Sequence, residues 1–600
     1  MSRPVENGGS VAGRTAGRYA RGRGMAVVVG VAVAGALGAC SGAPLSTGPK
    51  AGAACAPSGT VSLAVLQGTT LDCTSGTTVT LAGNGATYLI VPEFAVGDVP
   101  YTGVPYTIGR RASPGAPTAL AAGRPPASAL VSTATRPGVN VRQAEFDLRL
   151  RAADRQRLAA LGAARTRGTL ALQNPGVHTR ATCPSQSTRT FQVVANSNGT
   201  TFKSSTATLA YCGTNVIVYI DNAAPPGGFT PQQLTQFGQY ADQVLYPLDL
   251  GAFGSPTDID HNGAVIMLLT PIVNALTPKA DCATSGFVAG FFDGLDLDDT
   301  ASANSNKGEI FYQVVPDTGG TVSCKHSLSE VEGATAPTFL HELQHMISNG
   351  QHVLVHGGQP EEGWLDEGMS IVATELGSRY YEAKFPPPTG RTNPVQMFPD
   401  SAEPFINEQL LDSYSYLTAP DTQSVTLHSD ADNGLDWRGG DWLLLRYIGD
   451  QFDSTVYAKM EHSTSIGTAN IAQATGQSFP TLFANFGLAL YTDSIVGAAR
   501  NAVPPQDRFV SRNLRAIYQA LYNGCTRGGG CPGVGSPFPI TLQSLSGGSS
   551  VAGSLVPGAE MFYQLATPSG QSTVTVVFAP ASGATFSATL HTQISIFRLQ

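Results

Sequence analysis

Apolar and polar residues alternate one for one along two widely separated stretches of the chain. The first runs from about residue 55 to 125 and includes "GTTVTLAG" and "ATYLIVPEFAVG"; the second fills the last sixty residues, as in "STVTVVFAP" and "QISIFRLQ". A period of two, punctuated by Gly and Pro, predicts strands. A small all-β domain is therefore expected within residues 40–130 and a second, sandwich-like one within 541–600. Residues 141–168, "VRQAEFDLRLRAADRQRLAALGAARTRG", change to a helical spacing of Leu and Ala among many Arg. They predict a solvated helix inside a linker, 131–184, whose charges need no function. From 185 to 540, runs such as "RTFQVVA", "NVIVYIDN" and "AVIMLLTPIV" interleave with helical stretches, the pattern of an α+β enzyme domain.

Composition sharpens this picture. Only 13% of the 600 residues are charged, while Gly numbers 68 and Pro 40, which suits a β-rich, loop-rich protein better than long charged helices. Arg14, Arg18, Arg21 and Arg23 precede "MAVVVGVAVAGALGAC", a basic region followed by a short apolar run of small residues. This stretch resembles a bacterial lipoprotein signal, which implies removal of residues 1–39 and lipidation of Cys40; ordinary secretion is the alternative. At about fifteen residues the run falls short of a membrane span. Loss of the leader moves the net charge from -8 to -12, and an acidic surface argues against nucleic acid as a partner. The membrane is expected to be met only through the lipid.

Eight cysteines remain, at 55, 73, 183, 212, 282, 324, 525 and 531. An even number outside the cytoplasm reads as disulfides. Pairing of sequence neighbours is expected: Cys55 with Cys73, Cys183 with Cys212, Cys282 with Cys324, Cys525 with Cys531. There is no CxxC, so neither a zinc knuckle nor a thioredoxin-like site is expected.

Candidate chemistry lies in "FLHELQHMISNG", residues 339–350. Pro337 suits a first helical turn and Asn349-Gly350 a helix stop, framing about three turns. His341 and His345, four apart, share a helical face and are suited to one zinc ion, with Glu342 beside the open coordination position. In "EEGWLDEGMSIVATELGSRYY", residues 361–381, Glu367 offers a carboxylate from a second helix, with Gly368 permitting close packing. Glu361 and Glu362 are rival third ligands. A metzincin would need Gly and His where Ser348 and Gln351 stand, so that pattern fails. His352 and His356 are expected on a loop or rim.

"HELQH" followed by "GWLDEGMS" resembles the Glu-zincin peptidases, and the finer similarity is to the hyicolysin family of secreted bacterial metallopeptidases. It extends through "NVIVYIDNAAP", "FGSPTDIDHNGAVIMLLTPIVN", "SNKGEIFY" and "GGDWLLLRYIGDQF". The resemblance implies a zincin catalytic domain, zinc held by His341, His345 and Glu367, Glu342 as general base, and protein or peptide substrates. Thermolysin-like enzymes often carry an Asp four residues after the third ligand; here that residue is Ile371, and Asp366 is the nearest candidate to orient an imidazole. Tyr380, Tyr381, Tyr447 and His462 are the candidates for stabilising the oxyanion.

"DIDHNG", residues 258–263, matches half of a calcium loop through Asp258, Asp260 and Asn262, but Leu269 stands where a bidentate Glu is required. A structural turn is the favoured reading there and Ca2+ the lesser one. "DGLDLDDT", 293–300, reads as a solvated acidic loop. The chain is thus expected to be an exported zinc peptidase, endopeptidase before exopeptidase. The alternatives are a surface adhesion protein with a non-catalytic metal site, and a zinc hydrolase of another class.

Overall fold

The computed structural model describes residues 60–95, 102–111, 120–121, 141–173, 181–282, 286–300, 304–385, 397–427, 436–527, 533–545, 550–583 and 585–600. The leader, Cys40, Cys55 and Cys531 lie outside the described residues. The architecture is mixed α and β, as the patterns predict, but its parts are joined differently.

The two alternating stretches do not make separate domains. They interleave in one sandwich. One sheet runs in the order Thr60–Val61, Thr77–Ala82, Thr573–Pro580, Val104–Arg110, Ser550–Leu555, Leu120–Ala121; the other runs Gln543–Ser544, Tyr563–Ala566, Thr87–Phe94, Thr592–Arg598, Gly68–Asp72. The long strands pair antiparallel, with Val79 opposite Val576 and Ile90 opposite Ile596, while the two-residue strands Thr60–Val61, Leu120–Ala121 and Gln543–Ser544 pair parallel. Val79, Leu81, Tyr106, Ile108, Val576 and Phe578 from one sheet meet Tyr88, Ile90 and Ile596 from the other. Strands from both stretches stand side by side within each sheet, so neither stretch completes a core without the other.

Thr87–Phe94 is buried along its whole length, because its alternate residues serve two cores. Tyr88 and Ile90 face the sandwich interior, whereas Leu89 and Val91 join Phe597 in the core of the helical half. Gln593 donates to the Pro480 carbonyl at 2.9 Å, and Tyr416 donates to Glu560 at 2.8 Å. The sandwich is therefore docked on the helical half through its second sheet.

A six-stranded sheet holds the rest: Gly290–Phe292, Ile310–Gln313, Val265–Leu269, Val216–Asp221, Phe202–Cys212, Thr188–Val194 in spatial order. Gly290–Phe292 is an antiparallel edge strand, and the next three are parallel. Helix Leu328–Asn349 lies on this sheet, with Phe339 edge-on to Phe311 at 5.2 Å. Pro337 does not open that helix. Ser327 caps it in a reciprocal box with Glu330, and Pro337 falls inside. Nor does the helix stop at Gly350, which continues αR into a wide turn, Gly350–Val355.

Helix Val141–Thr166 is likewise no solvated linker. Phe146, Leu150, Leu158 and Leu161 enter the cores of the helical half and of the six-stranded sheet, and Asp147, Arg151, Asp154 and Arg165 are buried with them. Cys183–Cys212 and Cys282–Cys324 are bonded as the spacing suggested. Cys73 and Cys525 are also disulfide-bonded, their expected partners lying outside the described residues.

Candidate metal centre

Helices Leu328–Asn349 and Gly363–Lys384 pack against each other and bring three donors together. His341 Nε2 and His345 Nε2 are 3.3 Å apart, and each lies 3.6 Å from a different oxygen of Glu367. Tetrahedral zinc with bonds of about 2.0–2.1 Å sets its ligand atoms roughly 3.4 Å apart, so this triangle has the size the ion needs. Glu367 Oε1 is buried and lacks a hydrogen-bond partner. A carboxylate oxygen left bare in the interior is costly unless a cation meets it. The donor set and its geometry fit zinc.

Glu342 sits one residue from His341. Its Oε2 accepts the Phe292 amide at 2.8 Å, on the outward edge of the edge strand. Burial raises its pKa above the usual carboxylate value, against the lowering pull of His345 and Arg151. Asp366, the expected orienting residue, has its Oδ2 3.1 Å from His345 Nδ1. Burial opposes charge on His345, yet the Asp366 carboxylate outweighs it and the imidazole pKa is raised. Gly368 faces helix Asp436–Phe452, where an added Cβ would come 3.2 Å from both Asp441 and Leu445, so the close approach there needs Gly.

The rivals for the third ligand point elsewhere. Glu361 accepts the Gly467 amide at 2.6 Å and Asn470 Nδ2 at 2.7 Å, while Glu362 accepts Trp364 Nε1 at 2.7 Å. His352 is no rim residue: it is fully buried, 3.8 Å from Glu361 and 3.7 Å from Glu461. His356 packs beside His462. The expected oxyanion candidates are engaged away from the triad, Tyr447 donating to the Gln506 carbonyl and Tyr381 to Tyr240. Tyr380 packs edge-on against Tyr381, and His462 lies against Gly254.

The group at the triad is one that sequence reasoning missed. Arg438 Nη2 lies 2.5 Å from Glu367 Oε2 and 3.5 Å from His341 Nε2, and holds Glu367 well below the usual carboxylate range despite burial. Its signal was an Arg directly ahead of the "GGDWLLLRYIGDQF" stretch.

A second acidic group gathers Asp258, Asp260 and Glu309. Glu309 there accepts from Thr257 and the Ile259 amide, and Asn262 closes the turn by donating to Asp260. "DGLDLDDT" is half interior: Asp293 caps a short helical turn and Asp296 accepts from Asn306, both buried. Among the described residues no helix is long and apolar enough to cross a membrane.

No family model matches the chain. Over 175 residues it is 34% identical to the neutral metalloprotease ShpI of Staphylococcus hyicus, a match covering 28% of this chain and 36% of ShpI. The chain thus spans little more than a third of that relative's length, and the likeness supports a metalloprotease family for the matched region.

Proposed function

We propose that the chain is an extracytoplasmic zinc peptidase, lipid-anchored through Cys40 or secreted, that cleaves within proteins or peptides. The observation that carries this is the His341, His345, Glu367 triangle with Glu342 beside it. The metalloprotease relative supports the same reading.

When bound, zinc supplies a Lewis acid that brings the pKa of water towards neutrality and polarises a scissile carbonyl. Glu342 takes the proton of the attacking water and hands it to the leaving amine; its raised pKa suits a group that must hold and then release a proton. Asp366 keeps the proton of His345 on Nδ1 and leaves Nε2 for the metal. Arg438 balances negative charge growing on the carbonyl oxygen. Gly290–Phe292 is an edge strand to which an extended peptide can add once its outward groups are free.

The test pairs metal content with hydrolysis. The parent and Glu342→Gln should each hold one zinc, and His345→Ala none. Any casein hydrolysis by the parent should fall about 10²–10⁴-fold in Glu342→Gln. A parent that takes up no zinc at all would end the proposal.

A further inference from the structure

The outward edge of the edge strand is already taken. Gln143 Nε2 donates to the Gly290 carbonyl at 2.8 Å, and its Oε1 accepts the Ala289 amide at 2.7 Å. Arg151 donates to the Phe292 carbonyl, and Asp154 accepts the Gly294 amide at 3.2 Å. The side chains are those of Val141–Thr166, and the Gly290 and Phe292 carbonyls are groups that an added peptide strand would use.

The same stripe of the helix reaches the catalytic groups. Gln143, Asp147, Arg151 and Asp154 recur at intervals of four, four and three, and so share one face. Arg151 Nη2 stands 3.7 Å from Glu342 Oε2, and Asp147 Oδ2 stands 3.5 Å from Arg438 Nη2. Phe146 packs on Phe291 at 5.1 Å, and the Arg151 guanidinium lies 5.4 Å over the Phe292 ring. The base and the cation of the site are each paired to a charge from this one helix.

We propose that Val141–Thr166 is an intrasteric block. It occupies the groove between the edge strand and the metal centre, with Arg151 neutralising Glu342 and Asp147 engaging Arg438, so an extended peptide binds only after the helix leaves. The proposal rests on the peptidase reading for its consequence, not for the occupancy. Shedding the whole N-terminal segment is not a route to release, because it would strip Gly68–Asp72, Thr77–Ala82, Thr87–Phe94 and Val104–Arg110 from both sandwich sheets. The helix must leave without those strands.

The test uses the full chain carrying two sequence-specific cleavage sites, one inserted within residues 122–140 and one between Gly168 and Thr169, both exposed residues. Cutting both turns an intramolecular contact into a bimolecular one and removes the high effective concentration of the helix. Fragment loss is followed by gel filtration, amide exchange at Ala289 and Gly294 by mass spectrometry, and casein hydrolysis on the zinc-loaded chain. Release of the fragment, with exchange and hydrolysis each rising about tenfold or more, is expected. Arg151→Ala, uncut, should raise hydrolysis several-fold. Measurable hydrolysis that is equal before and after release overturns the block, as does a fragment that stays bound with both amides protected. Release with exposed amides and no hydrolysis in either form upholds the occupancy and sinks the peptidase reading instead.

Discussion

Asp366 offers a graded test of how the metal centre is held. Its carboxylate is 6% exposed and lies 3.1 Å from His345 Nδ1. Two effects are separable there: acceptance of the Nδ1 proton, which fixes the tautomer, and negative charge, which makes Nε2 a better donor. Asp366→Asn keeps an acceptor of the same shape and removes the charge, whereas Asp366→Ala removes both. Loss of such an outer partner costs about 10–100-fold in metal affinity, or roughly 1.4–2.7 kcal/mol. The Asn variant belongs near the tenfold end and the Ala variant near the hundredfold end. Competition of the metal-free chain against a fluorescent zinc chelator at fixed pH gives both dissociation constants, and thermal unfolding without zinc checks that the variants fold. If both variants bind zinc within about twofold of the parent, the orienting role assigned to Asp366 is wrong.

Glu375 is buried beneath Arg512, whose Nε and Nη2 lie 2.8 and 2.5 Å from its Oε1, and takes a further bond from Trp442. Arg512→Met leaves that carboxylate short of its main partner and should lower stability by about 3–5 kcal/mol in urea unfolding at pH 7; a cost under about 1 kcal/mol would contradict the burial argument. Burial raises the Glu375 pKa, but Arg512 and Arg446 pull it down to about 2, below its ordinary 4.5. A depressed folded-state pKa stabilises above the unfolded value and loses that contribution as acid titrates it. The parent's advantage over Arg512→Met should therefore be complete near neutrality and shrink between pH 4.5 and about 2. Cys282–Cys324 closes a span of 42 residues; chain entropy assigns it about 4 kcal/mol, so replacing both with Ser should lower the unfolding free energy by that order, and an unchanged midpoint would rule it out.

The grouping of His341, His345 and Glu367 was legible because these residues lie in local patterns. His341 and His345 are one turn apart on one helix, and Glu367 falls in a short motif on the next packed helix, so little depended on distant pairing. Arg438 was not legible, since nothing in "DWRGG" announces that its helix will lie against Glu367. The Val141–Thr166 helix was misread for a physical reason. Its Gln143, Asp147, Arg151 and Asp154 make a polar stripe, ordinarily the mark of a wetted face, but here that stripe meets backbone carbonyls, amides and charged side chains in the interior. Periodicity reports that a stripe is polar, not what lies opposite. The alternating ends were correctly seen as strands, yet period two carries no information about partners. Only the register of Thr573–Pro580 against Thr77–Ala82 reveals a single sandwich.

That shared sandwich governs the timing of folding. Thr70 and Ser595 meet across a sequence separation of 525 residues. At the usual pace of synthesis of about 5–20 residues per second, that interval lasts roughly half a minute to two minutes. For most of it, Thr87–Phe94 waits with the edge that will receive Thr592–Arg598 still unpaired, because that partner strand is made much later. An apolar strand waiting so long for its neighbour invites pairing with other chains. Folding of this protein is therefore expected to depend on a holding chaperone, and to fail as aggregation when Thr592–Arg598 is removed.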